Sequence, residues 1–246
     1  MATIVFDVDD TLYDQLIPFK TAFYHTIQKV SPEKMARIYQ LSRMKSEELF
    51  EQSETGEMSK LEMQIIRIQY ACIKFDISLN KEQATHFQKV YQQEQQKITL
   101  YPEVKVLLNK LSEKNHKLVL LTNGPLVHQQ NKISRLGLSK WISANHIFIS
   151  GSMACAKPDK KAFEFVEHKL RIGKEKPIFI GDSYRNDIVG GKNAGWTVIW
   201  LNNRFNKFEE HMVRPDRIVY DLDELLKLFK EYDYFQDKQL AINKMN

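Results

Sequence analysis

Two cysteines in 246 residues, Cys72 and Cys155, are too few and too far apart for a disulfide framework or a cysteine-rich zinc module. They fit a reducing compartment. The seven histidines show no paired spacing of metal ligands. No stretch reaches the roughly 18 apolar residues of a membrane span, and the apolar run within 1–7 is too short for a signal peptide. The expectation is a soluble, cytoplasmic chain with no membrane partner. There is no G-x-x-x-x-G-K-[ST] loop and no G-x-G-x-x-G turn, so neither a nucleoside triphosphate nor a dinucleotide is indicated. No basic arm, zinc finger, RNA-binding aromatic motif or zipper is present, which argues against a nucleic acid polymer as partner. The net charge of +5 comes from 36 Lys and Arg against 31 Asp and Glu, scattered along the chain. Charge alone does not choose between an anionic ligand and a lysine-studded surface.

What is present is enough chain for one large domain or two smaller ones, with 43% hydrophobic residues to fill a core. The chain opens on Thr3-Ile4-Val5-Phe6, apolar on both faces like a buried strand, and stops at Asp7. From about Leu16 to Lys97 the apolar residues recur at helical spacing. Ser31-Pro32-Glu33, Ser59 with Glu62, and Asn80 with Gln83 read as helix starts. This stretch predicts a four-helix insert. Strands then alternate with helices. Lys117–Leu121, Ile147–Ile149, Ile178–Ile180, Thr197–Leu201 and Arg217–Val219 are separated by helical patterns, which predicts an α/β chain with a doubly wound parallel sheet. The domain expectation is a core over 1–14 and 100–228, the helical insert over 15–99, and a polar tail over 229–246.

In open parallel sheets ligands bind beyond the carboxyl ends of the strands. Those ends carry Asp7-Val8-Asp9-Asp10-Thr11, then Thr122-Asn123-Gly124, then a loop reaching Lys157-Pro158-Asp159, then Gly181-Asp182 through Asp187. Carboxylates gathered after buried strands repel one another unless a cation offsets them. An all-oxygen cluster suits Mg²⁺. Asp7 and Asp182 are expected to give carboxylate oxygens and Asp9 its backbone carbonyl. Asp187 has three open readings: a ligand to the metal's waters, a partner for Lys157, or a helix N-cap. Lys157, the Thr122 hydroxyl and the Gly124 N–H would bind a tetrahedral dianion. The spacing of Asp7 and Asp9 favours transfer over mere binding, with one carboxylate attacking phosphorus and the other serving the leaving oxygen. Asp10 is expected to be a solvated turn residue, Thr11 a brace for the loop, and Cys155 a small packing residue.

Asp7-Val8-Asp9-Asp10-Thr11 resembles the DxDxT first motif of the haloacid dehalogenase-like hydrolases. Thr122, Lys157-Pro158-Asp159 and Gly181-Asp182 through Asp187 resemble their second, third and fourth motifs, in the same order, over about 1–225. The resemblance implies a Rossmann-like core with a mobile helical cap, hinged near Tyr13-Asp14 and Leu100, that closes over the substrate. It also implies a Mg²⁺-dependent phosphatase. Asp7 would be nucleophile and Asp9 acid/base. Thr122 and Lys157 would hold the phosphate, with Asn123 and Gly124 beside them, and Asp7, Asp9, Asp182 and Asp187 would surround the metal. The cap and the Thr122-Asn123-Gly124 turn look like the nucleotidase side of the family, so a nucleoside 5′-monophosphate is the first substrate expectation. The alternatives are a sugar phosphomutase, a dehalogenase (a branch lacking the second aspartate), and a silent phosphate-binding regulatory protein. Oligomeric state stays open.

Overall fold

The computed structural model describes residues 2–173, 175–209 and 211–231. Two compact units emerge: Gln15–Ile98, and the flanking segments up to Asp14 and from Thr99 onward.

The flanking segments build a six-stranded sheet. Its strands are β1 (Thr3–Phe6), β2 (Lys117–Thr122), β3 (Ile147–Ile149), β4 (Ile178–Gly181), β5 (Thr197–Leu201) and β6 (Arg217–Val219). Their order is β3-β2-β1-β4-β5-β6, and every neighbouring pair is parallel. Ile4, Val5 and Phe6 of β1 are all at 1% exposure or less, as a central strand covered on both faces requires. One face packs Val5, Val119, Leu121, Phe179 and Val198 against Phe163 and Val166. Ile4, Phe6, Leu118, Leu120 and Ile180, at alternate positions, are buried as well. Parallel neighbours need crossovers, and helices lie in the four that link β1 to β2, β2 to β3, β3 to β4 and β4 to β5. These include α6 (Pro102–Glu113), α7 (Leu126–Arg135) and α8 (Lys160–Leu170), with α9 (Gly190–Asn193) before β5. The tryptophans pack: Trp196 lies edge-on to Phe163 at 5.1 Å between centroids, and its Nε1 donates to Glu167 at 2.7 Å.

Residues Tyr184–Val189 form a π-helical turn that runs into α9. The Ser183 carbonyl accepts both the Asp187 N–H at 2.9 Å and the Ile188 N–H at 3.3 Å, so the turn is wider than an α-turn there. Of the tail expected over 229–246, residues 222–231 are helical and 232–246 lie outside the described residues.

The unit Gln15–Ile98 holds α1 (Leu16–Thr26), α2 (Pro32–Glu48), α3 (Phe50–Glu54), α4 (Lys60–Ile73) and α5 (Lys81–Glu94). The four expected helices are thus joined by a fifth, the single turn α3, ahead of Gly56 at φ +83°. Ser59 with Glu62 and Asn80 with Gln83 form reciprocal capping boxes at the starts of α4 and α5. Aromatic rings fill the interior: Phe19 lies edge-on to Tyr39 and Phe87, each 5.2 Å away between centroids. Among the described residues no helix is long and apolar enough to cross a membrane.

Candidate active site

The carboxyl ends of β1, β2 and β4 carry the polar groups, and the sheet register brings them together. Phe6 pairs with Leu120 on one side and Ile180 on the other, so Asp7, Thr122 and Asp182 follow adjacent strand ends. The Asp7 N–H donates to the Ile180 carbonyl at 2.9 Å, which extends the ladder to the first acid.

Lys157 stands at the centre, 3% exposed. Its Nζ donates to Asp7 Oδ1 at 2.7 Å and to Asp187 Oδ1 at 2.6 Å. Burial alone would push the ammonium down, but Asp187 and Asp7 together raise it well above the usual lysine range, so it stays charged. Asp7 moves the other way from most paired acids. Burial, aided by repulsion from Asp187 and Asp9, lifts its carboxyl from 3.8 to about 6 despite the attraction of Lys157. Asp187 is wholly buried, and its second oxygen accepts the Ser183 N–H at 3.0 Å. Of the three readings of Asp187, the partner for Lys157 is the one seen directly. The cap of the helical turn is Ser183, whose hydroxyl accepts the Asn186 N–H at 3.3 Å. Gly181 makes room for this: a Cβ there would collide with the Asp187 carboxylate.

Asp7, Asp182 and Asp187 each offer a carboxylate oxygen within 4.8 Å of the others. The donor set is hard and all-oxygen, as Mg²⁺ or a similar cation prefers. The Asp9 carboxylate stands outside it. Its two oxygens accept from Lys132 Nζ at 2.7 and 2.8 Å, from Gln129 Nε2 at 3.1 Å, and from the Tyr13 hydroxyl. Each lysine therefore serves its own acids: Lys157 serves Asp7 and Asp187, and Lys132 serves Asp9. Four carboxylates against two ammonium groups leave two negative charges, which a divalent cation would balance.

The second-motif residues are placed less simply. Thr122 is 1% exposed, and its hydroxyl accepts from Gln129 Nε2 at 3.0 Å. The Asn123 side chain grips the backbone of Lys157: its Nδ2 donates to the carbonyl at 2.7 Å, and its Oδ1 accepts the N–H at 3.0 Å. It sets the lysine's place rather than offering its amide to a ligand. The Gly124 N–H, expected to be free for a dianion, donates to Ser150 Oγ at 2.9 Å. Thr11 Oγ1 approaches Asp182 Oδ1 at 3.5 Å, a bracing position.

Asp10 departs from expectation. It is buried, at 2% exposure, in the left-handed region at φ 56°, which aspartate tolerates better than most residues. That conformation turns its carboxylate to Arg204, whose Nη2 also reaches Asp14, at 2.7 and 2.6 Å. Cys155 is half-buried rather than packed away. The sequence pattern offers Tyr13 only as a hinge neighbour and gives Gln129, Lys132 and Arg204 no role. The signal for two of them was available: Gln129, Lys132 and Ile133 share one face of α7, so polar residues sit where the helical period asks for apolar ones.

Residues 4–201 match the family model described as haloacid dehalogenase-like hydrolase. The chain is 30% identical over 128 residues to (S)-2-haloacid dehalogenase 2 of a Pseudomonas species, covering 52% of this chain and 55% of that one. It is 35% identical over 122 residues to pyrimidine 5′-nucleotidase PynA of Streptococcus pneumoniae, covering 49% and 50%. The chain spans about half the length of these curated relatives. Among solved structures, the HAD-hydrolase YfnB of Bacillus subtilis bound to magnesium superposes with a TM-score of 0.67 at 22% identity, over 93% of this chain and 98% of that one, a likeness of fold.

Proposed function

Because this chain belongs to the haloacid dehalogenase-like hydrolases, we propose that it is a Mg²⁺-dependent phosphatase acting on a small phosphate monoester through an aspartyl-phosphate. Relatives of this hydrolase include phosphatases and nucleotidases. The observation that carries the reading is the convergence of Asp7, Asp182 and Asp187 around one buried lysine, with a second aspartate, Asp9, held apart on its own cation.

In this mechanism Lys157 binds the phosphoryl oxygens beside Asp7, and Asn123 keeps its backbone in place. An Asp7 carboxylate oxygen forms a bond to phosphorus as the bond to the leaving oxygen breaks. That oxygen takes a proton from the Asp9 carboxyl. The Asp9 carboxylate then takes a proton from water, whose oxygen attacks phosphorus and releases Asp7. Mg²⁺ held by Asp7, Asp182 and Asp187, with the Asp9 carbonyl, would offset charge on the phosphoryl oxygens. A departing halide takes no proton, so a dehalogenase has no task for a cation-bound Asp9; this favours phosphoryl transfer despite the similarity to a dehalogenase. A phosphomutase would use both aspartates and remains the second reading.

The similarity to a pyrimidine 5′-nucleotidase makes a nucleoside 5′-monophosphate the first substrate to try. The test is a panel of nucleotides, sugar phosphates and 2-haloacids with Mg²⁺, run on the unaltered protein and on Asp7→Asn. The expected result is phosphate release that Asp7→Asn abolishes. Isomerised sugar phosphate without free phosphate would select the mutase. Mg²⁺-dependent release retained by Asp7→Asn would overturn the mechanism.

A further inference from the structure

The helix α7 presents Gln129 and Lys132, one turn apart, to a single target. Lys132 is 4% exposed, a rare place for an ammonium unless it is paired, and it spans both oxygens of Asp9. Gln129 Nε2 lies within 3.1 Å of Asp9 Oδ2, 3.0 Å of Thr122 Oγ1 and 2.6 Å of the Asn123 carbonyl, while its Oε1 is buried without a hydrogen-bond partner. Turning that amide over would set its oxygen against two other oxygens. Its orientation is therefore imposed by Asp9 and the Asn123 carbonyl. Tyr13, four residues after Asp9, closes the remaining side with its hydroxyl. Three donors from two segments thus aim at a carboxylate that the metal-type cluster does not include.

We propose that Lys132 is the positioning residue for Asp9. It holds that carboxyl toward the leaving oxygen and away from the Asp7, Asp182 and Asp187 cluster. The inference rests on the phosphatase reading above. Without Lys132, the ammonium that spans both Asp9 oxygens no longer holds them back from a bound divalent cation, and a carboxyl drawn onto the cation no longer serves the leaving oxygen. The loss then falls on the step that needs a proton.

The test compares two esters in single-turnover release of the alcohol with Mg²⁺. One is a nucleoside 5′-monophosphate, whose alkoxide must be protonated to leave. The other is p-nitrophenyl phosphate, whose phenolate leaves unprotonated. For Lys132→Met, the nucleotide step is expected to fall ~100-fold or more, the scale of general-acid catalysis. The p-nitrophenol step should fall less than ~10-fold, with KM for both esters little changed. Lys132→Arg should recover most of the loss. In an Asp9→Asn background, adding Lys132→Met should cause no further drop. That double variant removes both charges of the pair together, so it tests the coupling even if Lys132→Met alone folds poorly. Equal losses for both esters, or independent losses in the double variant, would overturn the role given to Lys132 while leaving the phosphatase reading intact. No release from either ester by the unaltered protein would overturn that reading and this inference with it.

Discussion

The raised Asp7 carboxyl has a thermodynamic counterpart that can be measured without any substrate. In the folded chain this group titrates near 6 instead of 3.8. At about 1.4 kcal/mol per pKa unit, the difference is about 3 kcal/mol. The unfolded chain releases the proton at lower pH than the folded one. Below pH 3.8 both states keep it, and Asp7 imposes no penalty. As pH rises through 6 the folded state must bury the ionised form, and stability falls by that amount. The attraction of Lys157 is already contained in this balance. Asp7→Asn keeps the shape without the charge. In chelator at pH 8 it should therefore be more stable than the unaltered protein, by up to about 3 kcal/mol. The gain should fade as the pH is lowered toward 4. Urea denaturation at pH 8, 6, 5 and 4 with EDTA measures it. Restoring Mg²⁺ should narrow the gap at pH 8, since an ion at a hundred times its Kd stabilises the folded state by about 2.7 kcal/mol. An Asp7→Asn protein less stable than its parent at pH 8 in EDTA, or a difference independent of pH, would refute the electrostatic reasoning.

Two further outcomes are expected. Gly181→Ala drives a methyl into the Asp187 carboxylate and should destabilise the protein by about 1–3 kcal/mol. It should also lower turnover with little change in secondary structure, as circular dichroism and steady-state assays would show. Cys72 is fully buried, and burial pushes its thiol up to about 12. With a disulfide-exchange reagent at pH 8, the native protein should react at Cys155 well before Cys72, and peptide mapping of the labelled chain checks the order.

Much of the core was legible because its signals are local. Ile4, Val5 and Phe6 are apolar in succession, as a strand covered on both faces demands. The paired Ser59/Glu62 and Asn80/Gln83 starts are capping chemistry written within four residues. The strand-end rule then placed Asp7, Lys157, Asp182 and Asp187 on a shortlist, and the fold brings these four together. What escaped is non-local. Asp10 and Arg204 meet across 194 positions of chain. Asn123 and Lys157 join through backbone atoms, which no side-chain pattern announces. The widened turn at 184–189 depends on one carbonyl accepting two N–H groups, a pattern that no helix propensity announces.

That widened turn makes chain length itself a determinant here. Each residue of an ordinary α-helix advances by about 100° around the axis. Deleting one residue between 184 and 186 and letting the segment tighten to regular pitch would swing the following side chains by roughly that angle. The carboxylate now resting against the ammonium would face elsewhere. Gly181, Asp182 and Asp187 would all survive such a shortening, and the pairing would still be lost. Spacing is thus as much a part of this loop's information as identity, and a homologue missing a residue there would keep the glycine and both aspartates without their geometry.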